Sequence, residues 1–591
     1  MIDVLHDLVK KPISYLGEKL SDRQFLIVSS ILVGLTSGLA AIAVKYVVHS
    51  IGQLVSFYST NYEEFFLFAL FPLIGVLLTV FYIRYFLNGK LPKGNSDIVY
   101  SIAKKSSKLP PQQTYAHMIT SALTVGFGGS MGLESPMVST GSAIGSNYAT
   151  TYKLGYKERT ILLACGASAG IAAAFNSPIA GVLFAIEVLL ADVSSAAFIP
   201  LIISAASGAL LSKIILEEGI TLSFSLQEPF NYQNTPYYVL LGIVAGLISV
   251  YYTRVYSWTE AKMQRMENRW LRAMTGGILL FVIILLFPPL FGEGYKTIKQ
   301  LAELKPGELF QTSLLFSFIK TNGHLIFFLA LLIFIKPVAA AITIGSGGNG
   351  GNFAPALFVG AYLGFVFARL INLSGITYIP ESNFTLVAMA GILSGIFYAP
   401  LTAIFLIAEI TGGYELMIPL MIVSALSLTV THLFEPLSMD SKKLSKMLRG
   451  SIDTRDKFLL SKLDISELIE TNFSTVKPEY NLDALIKVIA NSNRNIFPVV
   501  DDDKKLIGIV HLDKIRSLIF DSAQNQSTIV RDLMTTPAVV IQANENLHQA
   551  LIKFEETKLW NLPVVDRDQY VGFLSKSSIL ARYRNELLES A

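Results

Sequence analysis

A single cysteine, Cys165, stands in 591 residues, which excludes an internal disulfide and any cysteine-built metal cluster. Its setting in an apolar stretch marks it as a small core residue. Charge is also scarce: charged types make up 15% of the chain and hydrophobic types 52%, a balance that belongs to a bilayer rather than to water. The net charge of +3 contains no block of Lys and Arg with interleaved aromatics, so nucleic acid is excluded as a partner. No cleavable signal peptide is visible before the first apolar run. Lys10, Lys11, Lys19 and Arg23 precede that run, which predicts a cytoplasmic amino terminus.

Long apolar runs are abundant. Phe25 to Val48, Phe65 to Phe86, Tyr237 to Tyr252, Ile278 to Leu290, Leu325 to Ile344 and Met417 to Leu428 read as helices, several of them near the ~20 residues that a span requires. Shorter runs stop at Gly or Pro, and broken helices persist at membrane depth only where they line an enclosed cavity. The pattern predicts a pathway. From about residue 450 the composition turns mixed, with the alternating strand and helix signals of a soluble domain.

Two segments of the apolar part repeat. Residues 128–145, GGSMGLESPMVSTGSAIG, match residues 347–364, GGNGGNFAPALFVGAYLG, with Gly132 to Gly351, Pro136 to Pro355, Gly141 to Gly360 and Gly145 to Gly364 all 219 apart. Residues 178–187, PIAGVLFAIE, match residues 400–409, PLTAIFLIAE, at an offset of 222. Two matches at nearly one offset indicate duplicated halves, taken here as about 22–210 and 236–435, an arrangement that puts a transport site at their interface.

Within each first segment the order Gly, three residues, Pro reads as a turn that opens a helix, with Pro in its first positions. A helix amino terminus offers unpaired N–H groups and a positive dipole end, which hold an anion without a full cationic side chain and so let it leave again. Gly132 to Pro136 and Gly351 to Pro355 are therefore two such ends, one from each half, that can converge on one anion. Glu134 lies inside the first. A carboxylate in hydrocarbon costs several kcal/mol unless donors hold it, so Glu134 and an anion compete for the same N–H groups.

These residues carry a resemblance. GLESP at 132–136 resembles the G-[KR]-E-G-P signature of the CLC chloride channel and transporter family, GNFAP at 351–355 resembles its G-x-F-x-P signature, and GIAAAFNSPIAGVLFAIEV at 170–188 is similar to a third stretch. The resemblance implies an all-α polytopic membrane domain built as an inverted repeat of broken helices, over residues 1–450. It implies that the N–H groups of Asn352 and Phe353 bind a central anion, that those of Leu133, Glu134 and Ser135 bind an outer one, and that Glu134 is the gate. It further implies a homodimer with one path per subunit in the inner (plasma) membrane, both termini cytoplasmic, and chloride as the transported ligand.

The chain departs from the family pattern at several positions. Leu133 and Ser135 replace a basic residue and a glycine. Val188 stands where exchangers of the family carry a second glutamate that relays protons, which favours a passive channel, gated by voltage or pH, over a chloride/proton antiporter with a relocated relay. The family's G-S-G-I-P segment falls at Gly94 to Ile98, where Asn95 or Ser96 would supply the inner donor. Asp440 aligns with the tyrosine that closes the inner side, and it either points away, pairs with Lys442 or Lys443, or titrates as part of gating. Glu187 reads as a structural hydrogen-bonding group, with Glu409 as its counterpart. Nitrate, bromide and fluoride stay open as alternative anions.

The tail repeats at an offset of 65, Phe497-Pro-Val-Val-Asp501 against Leu562-Pro-Val-Val-Asp566, and looks like a tandem CBS pair: linker 451–462, soluble α/β modules 463–522 and 527–588. Such pairs often hold an adenine nucleotide through a Ser or Thr and an Asp. Here His511, Lys514, Ser575 and Ser578 occupy those positions without the aspartate, which favours a structural and dimer-contact role over nucleotide sensing. No metal, catalytic residue or other cofactor is expected. A CBS-bearing divalent cation transporter needs convergent carboxylates, whereas these motifs offer N–H donors, and the apolar spans exclude a soluble enzyme.

Overall fold

The computed structural model describes residues 19–57, 65–190, 195–216, 222–224, 226–306, 321–448, 465–520, 528–545 and 547–589. The chain divides into two compact units, Met1–Lys446 and Met447–Ala591. The expected linker 451–462, Lys10 and Lys11 lie outside the described residues.

The first unit is helical. Its first half holds α1 (Asp22–Phe57), α2 (Phe65–Phe86), α3 (Asn95–Lys104), α4 (Gln113–Gly126), α5 (Glu134–Thr151), α6 (Tyr156–Phe175), α7 (Pro178–Phe184) and α8 (Ser195–Ile215). A single π turn, Ala185–Leu189, prolongs α7. The second half holds α9 (Thr235–Gln264), α10 (Arg269–Leu286), α11 (Tyr295–Ala302), α12 (Asn322–Gly345), α13 (Phe353–Ser374), α14 (Glu381–Phe397), α15 (Pro400–Ile410) and α16 (Met417–Phe434); α17 follows at 439–448. Among the described residues, nine helices are long and apolar enough to cross a membrane, while Pro178–Leu189, Glu381–Phe397 and Pro400–Ile410 are apolar but shorter.

The apolar runs read from sequence understate the helices. The run Phe25 to Val48 lies within the 36-residue α1, and Met417 to Leu428 within Met417–Phe434, because polar ends that reach past hydrocarbon still complete backbone hydrogen bonds. Ile278 to Leu290 is broken, since α10 ends at Leu286 and Pro288–Leu290 form a separate turn with no proline N–H to continue the ladder.

The repeat is a true two-fold relation. Gly132 N–H donates to Gly351 O at 2.9 Å and Gly351 N–H to Gly132 O at 2.8 Å. Each residue thus bonds its own counterpart reciprocally, which requires the pseudo-axis to pass between them. The same relation recurs at the glutamates. Glu187 accepts from Leu401 N–H at 3.0 Å, Thr402 N–H at 2.7 Å and Thr402 Oγ1 at 2.7 Å, while Glu409 accepts from Ile179 N–H at 3.1 Å and Ala180 N–H at 2.9 Å. Each carboxylate fills the open N–H groups at the start of the other half's short helix, α15 or α7.

Small residues let the broken helices approach. A Cβ on Gly145 would lie 1.9 Å from Leu162 O and one on Gly364 2.1 Å from Phe384 O, so α5 against α6 and α13 against α14 pack in the same manner, backbone to backbone.

The second unit holds α18 (Leu482–Ala490), β1 (Ile496–Val500), β2 (Leu506–His511), β3 (Ile541–Gln542), α19 (Leu547–Thr557), β4 (Asn561–Asp566), β5 (Gln569–Ser575) and α20 (Lys576–Glu589). β1 and β2 pair antiparallel, and β3 joins β4 in parallel beside the antiparallel β4–β5 hairpin. The two repeated Pro-Val-Val runs lie on β1 and β4, where Phe497, Val499, Leu562 and Val564 are fully buried.

Candidate anion site

The two motif helices begin as mirror copies. α5 opens at Glu134 with Leu133 as N-cap, α13 opens at Phe353 with Asn352 as N-cap, and neither cap side chain satisfies the helix end. Pro136 and Pro355 are each the third helical residue, where their missing N–H and fixed φ cost nothing. The Gly132–Gly351 hydrogen bonds join the two starts. Glycine suits that position, because a Cβ on Gly132 would fall 2.8 Å from the Ala354 Cβ and 3.1 Å from its backbone N, and would push into the Glu134 carboxylate.

A cavity of about 480 Å³ reaches these helix ends. Glu134, Ser135, Gly351, Asn352 and Phe353 line its deep end, and Asn95, Met439 and Asp440 a further part. Arg254, Lys442, Lys443 and Lys446 also line it, with Glu260 opposing them. Most sequence-read site residues therefore meet in one space.

Glu134 is buried. Its Oε1 accepts from the Tyr295 hydroxyl. Its Oε2 is enclosed and faces the N–H groups of Ala354 and of Glu134 itself, short of hydrogen-bond geometry. The carboxylate thus lies at the amino-terminal ends of both motif helices, where an anion would be attracted.

Three expectations need correction. Leu133 N–H does not face open space: it donates to Glu293 Oε1 at 3.3 Å. Asn95 and Ser96 direct their donors at Asp440, from Asn95 Nδ2 at 2.9 Å and Ser96 Oγ at 3.3 Å, because a carboxylate nearby outcompetes a carbonyl or water for an amide N–H. Lys442 pairs instead with Glu435, and Lys443 reaches Asp97 at 3.9 Å and Lys93 O at 2.7 Å. Asp440 therefore neither points away nor takes either lysine as its hydrogen-bonding partner.

Val188 is set apart. It lines a smaller cavity of about 160 Å³ with Glu187, Ser96 and Asp440, so Asp440 borders both spaces.

Three residues escaped the sequence reading. Glu293 and Tyr295 stand in a Gly-Glu-Gly-Tyr turn that looks like an ordinary loop, and only the fold carries it to the Glu134 helix. Tyr256, just past the apolar run that ends at Tyr252, brings a phenol into the main cavity, its ring parallel to that of Tyr252 at 6.1 Å. Tyr252 in turn donates to Asn352 Oδ1 at 3.2 Å. The sequence-level signal was a tyrosine four residues after another on one helix face.

In the second unit, Ser575 Oγ donates to Glu470 Oε1 at 2.6 Å and accepts from Ser578 N–H at 3.0 Å, so both serines are engaged at the start of α20. A cleft of about 280 Å³ is lined by Ile509, His511, Thr535, Trp560, Asn561 and Phe573 among others. Burial, then the neighbouring Lys514, holds the His511 imidazole below its usual range against the opposing pull of Asp513.

Residues 75–432 match the protein family described as voltage gated chloride channel, and residues 465–521 and 530–585 each match the CBS domain. The "putative chloride channel protein ClcB-like" of Ralstonia nicotianae is 28% identical over 370 residues, covering 61% of this chain and 82% of that protein. The "voltage-gated ClC-type chloride channel ClcB" of Escherichia coli is 28% identical over 323 residues, covering 53% of this chain and 71% of its own. Among solved structures, a slow cyanobacterial Cl−/H+ antiporter superposes with a TM-score of 0.63 at 22% identity, over 73% of this chain and 99% of that one.

Proposed function

The chain belongs to the voltage-gated chloride channel (CLC) family, a family of membrane transport proteins, and from that premise we propose that it carries chloride through a path gated by Glu134. The observation that supports this most is the position of the Glu134 carboxylate at the ends of two helices related by the repeat. An anion drawn to those ends meets a carboxylate already there, and protonation removes the competing charge. A charge held part way across a bilayer also feels the membrane potential, worth about 2.3 kcal/mol per charge per 100 mV. Gating by pH and by voltage follows from one side chain.

Within that path, the N–H groups of Glu134, Ser135, Asn352 and Phe353 are the anion donors in this reading, and the Tyr256 phenol stands in for the hydroxyl that Asp440 replaces. Arg254 and Lys442 share the Glu435 carboxylate, and with Lys443 and Lys446 they leave the cavity lining net positive, which raises the local anion concentration.

Passive conduction is favoured over proton exchange. Val188 offers no titratable group, and the Glu187 carboxylate beside it already serves three donors on Leu401 and Thr402. The second reading, a chloride/proton antiporter, draws on Asp440, which borders both cavities. Chloride flux from liposomes holding the purified chain tests the main proposal: no chloride-dependent current or efflux in folded protein overturns it.

The assembly in this reading is a homodimer in the inner membrane with both termini cytoplasmic, each subunit carrying its own path. The CBS pair takes a structural, dimer-contact role. Among the described residues its cleft is lined by no Lys or Arg, and a neutral His511 offers no charge to a nucleotide phosphate.

A further inference from the structure

The outer end of the path contains more carboxylate than one gate requires. The turn at 292–295 follows α10, with both glycines at positive φ, Gly292 at 61° and Gly294 at 85°, so the chain reverses sharply there. It is held on two sides. Gly292 N–H donates to Gly128 O at 3.0 Å, and the fully buried Lys336 donates to Gly292 O at 3.2 Å and to Ser130 Oγ at 2.9 Å. From this fixed turn, Glu293 takes the Leu133 N–H and Tyr295 donates its phenol to Glu134 Oε1.

The charged and titratable groups around the pair come from three further places. Lys45 on α1 lies within electrostatic reach of both Glu134 and Glu293 while donating to Ala174 O. Lys336 on α12 faces Glu293, with its ammonium 4.8 Å from the centre of the Phe358 ring. Tyr295 opens α11 and packs edge-on against Phe175 at 6.2 Å.

We propose that the 292–295 turn is a latch on the outer anion site, in which Tyr295 holds Glu134 in place and Glu293 occupies the Leu133 N–H. An entering anion then displaces two carboxylates instead of one. The inference rests on the reading of Glu134 as the gate. A phenol O–H stabilises an ionised carboxylate more than a neutral one, since charge-assisted hydrogen bonds are roughly twice as strong as neutral ones. Tyr295 thus favours the closed, ionised state. Glu293 opposes the entering anion by a separate route, repelling it and filling a donor that it would use, while its own charge disfavours ionised Glu134. Lys45 and Lys336 offset the repulsion between the two carboxylates, and they supply near the outer site the positive potential that Leu133 lacks.

The full-length protein in liposomes tests the latch through chloride efflux across a pH series and a chloride series. Tyr295→Phe keeps the ring and removes the donor, so half-maximal activation moves to higher pH by about one unit, tenfold in proton affinity. Glu293→Gln keeps an acceptor for Leu133 N–H and removes the charge, so the chloride concentration for half-maximal flux falls several-fold. In a Glu134→Gln background the Tyr295 change has no further effect on the pH profile, while the Glu293 change keeps its effect on chloride dependence. A merely structural Tyr295 lowers folded yield and leaves the profile in place.

Wild-type pH and chloride profiles in both single variants, with Glu134→Gln abolishing pH dependence, overturn the latch alone. Retained pH dependence in Glu134→Gln overturns the gate reading and the latch with it. If Tyr295→Phe does not yield folded protein, Glu293→Gln decides, and an unchanged chloride dependence counts against the latch.

Discussion

At the residue scale, the proposed function turns on which group occupies a few backbone donors. Glu134 was legible in the sequence because Gly132 and Pro136 bracket it in a pattern that starts a helix, and its counterpart Gly351 to Pro355 repeats that pattern without the acid. Its partners were not legible. Tyr295 lies 161 residues away and Glu293 160 residues from Leu133, and no local periodicity links a turn to a helix end in the other half. Substituting Glu134 by Gln or Ala is expected to abolish most of the pH dependence of chloride flux, because neither side chain can compete as an anion. Flux measured at acid and neutral pH in the same liposomes checks this, and a wild-type ratio in both variants removes Glu134 from the gate.

At the element scale, the offsets of 219 and 222 announced two halves, and the reciprocal Gly132–Gly351 bonds make the relation a two-fold axis. The sequence could supply the repeat because Gly and Pro positions are set by local backbone geometry. It could not supply the handedness or the cross-capping by Glu187 and Glu409, which exist only once the halves meet. Removing one such cap leaves helix-end N–H groups unmet, so Glu187→Ala is expected to destabilise the membrane unit by about 2 kcal/mol, read as a lower unfolding temperature in detergent, with Glu187→Gln intermediate. Helix-end geometry also separates two changes in α13. The Phe353 ring packs against Phe175, Phe184 and Phe397 at 5.6, 6.2 and 5.5 Å, so Phe353→Ala is expected to lower folded yield, as a core truncation does. It leaves the N–H donors in place, whereas Pro355→Leu alters the first turn itself. Flux per folded protein should therefore fall more in Pro355→Leu, and the reverse order would mean that the aromatic side chain governs the site.

At the scale of the whole molecule, a chain of one transport path can either conduct or exchange, and the difference lies in whether protons have a route to Glu134 from the inner side. Exchange needs a titratable group along that route. Val188 provides none, and Glu187 caps α15, which is what favours the proposed passive reading. Asp440 is the strongest objection. It borders both cavities, yet its oxygens accept from Asn95 and Ser96, which ties it to α3 and restrains it from swinging toward Glu134. The expected outcome is passive transport: in liposomes loaded with chloride and started without a proton gradient, chloride leaves and external pH does not move uphill. The assay has an internal control, since a proton ionophore should then change chloride efflux only through the membrane potential. Uphill proton movement in the wild type that disappears in Asp440→Asn would make the chain an exchanger whose relay has moved from position 188 to position 440. Uphill movement that survives Asp440→Asn would place the relay elsewhere and end the passive reading, because a channel has no means of coupling the two flows.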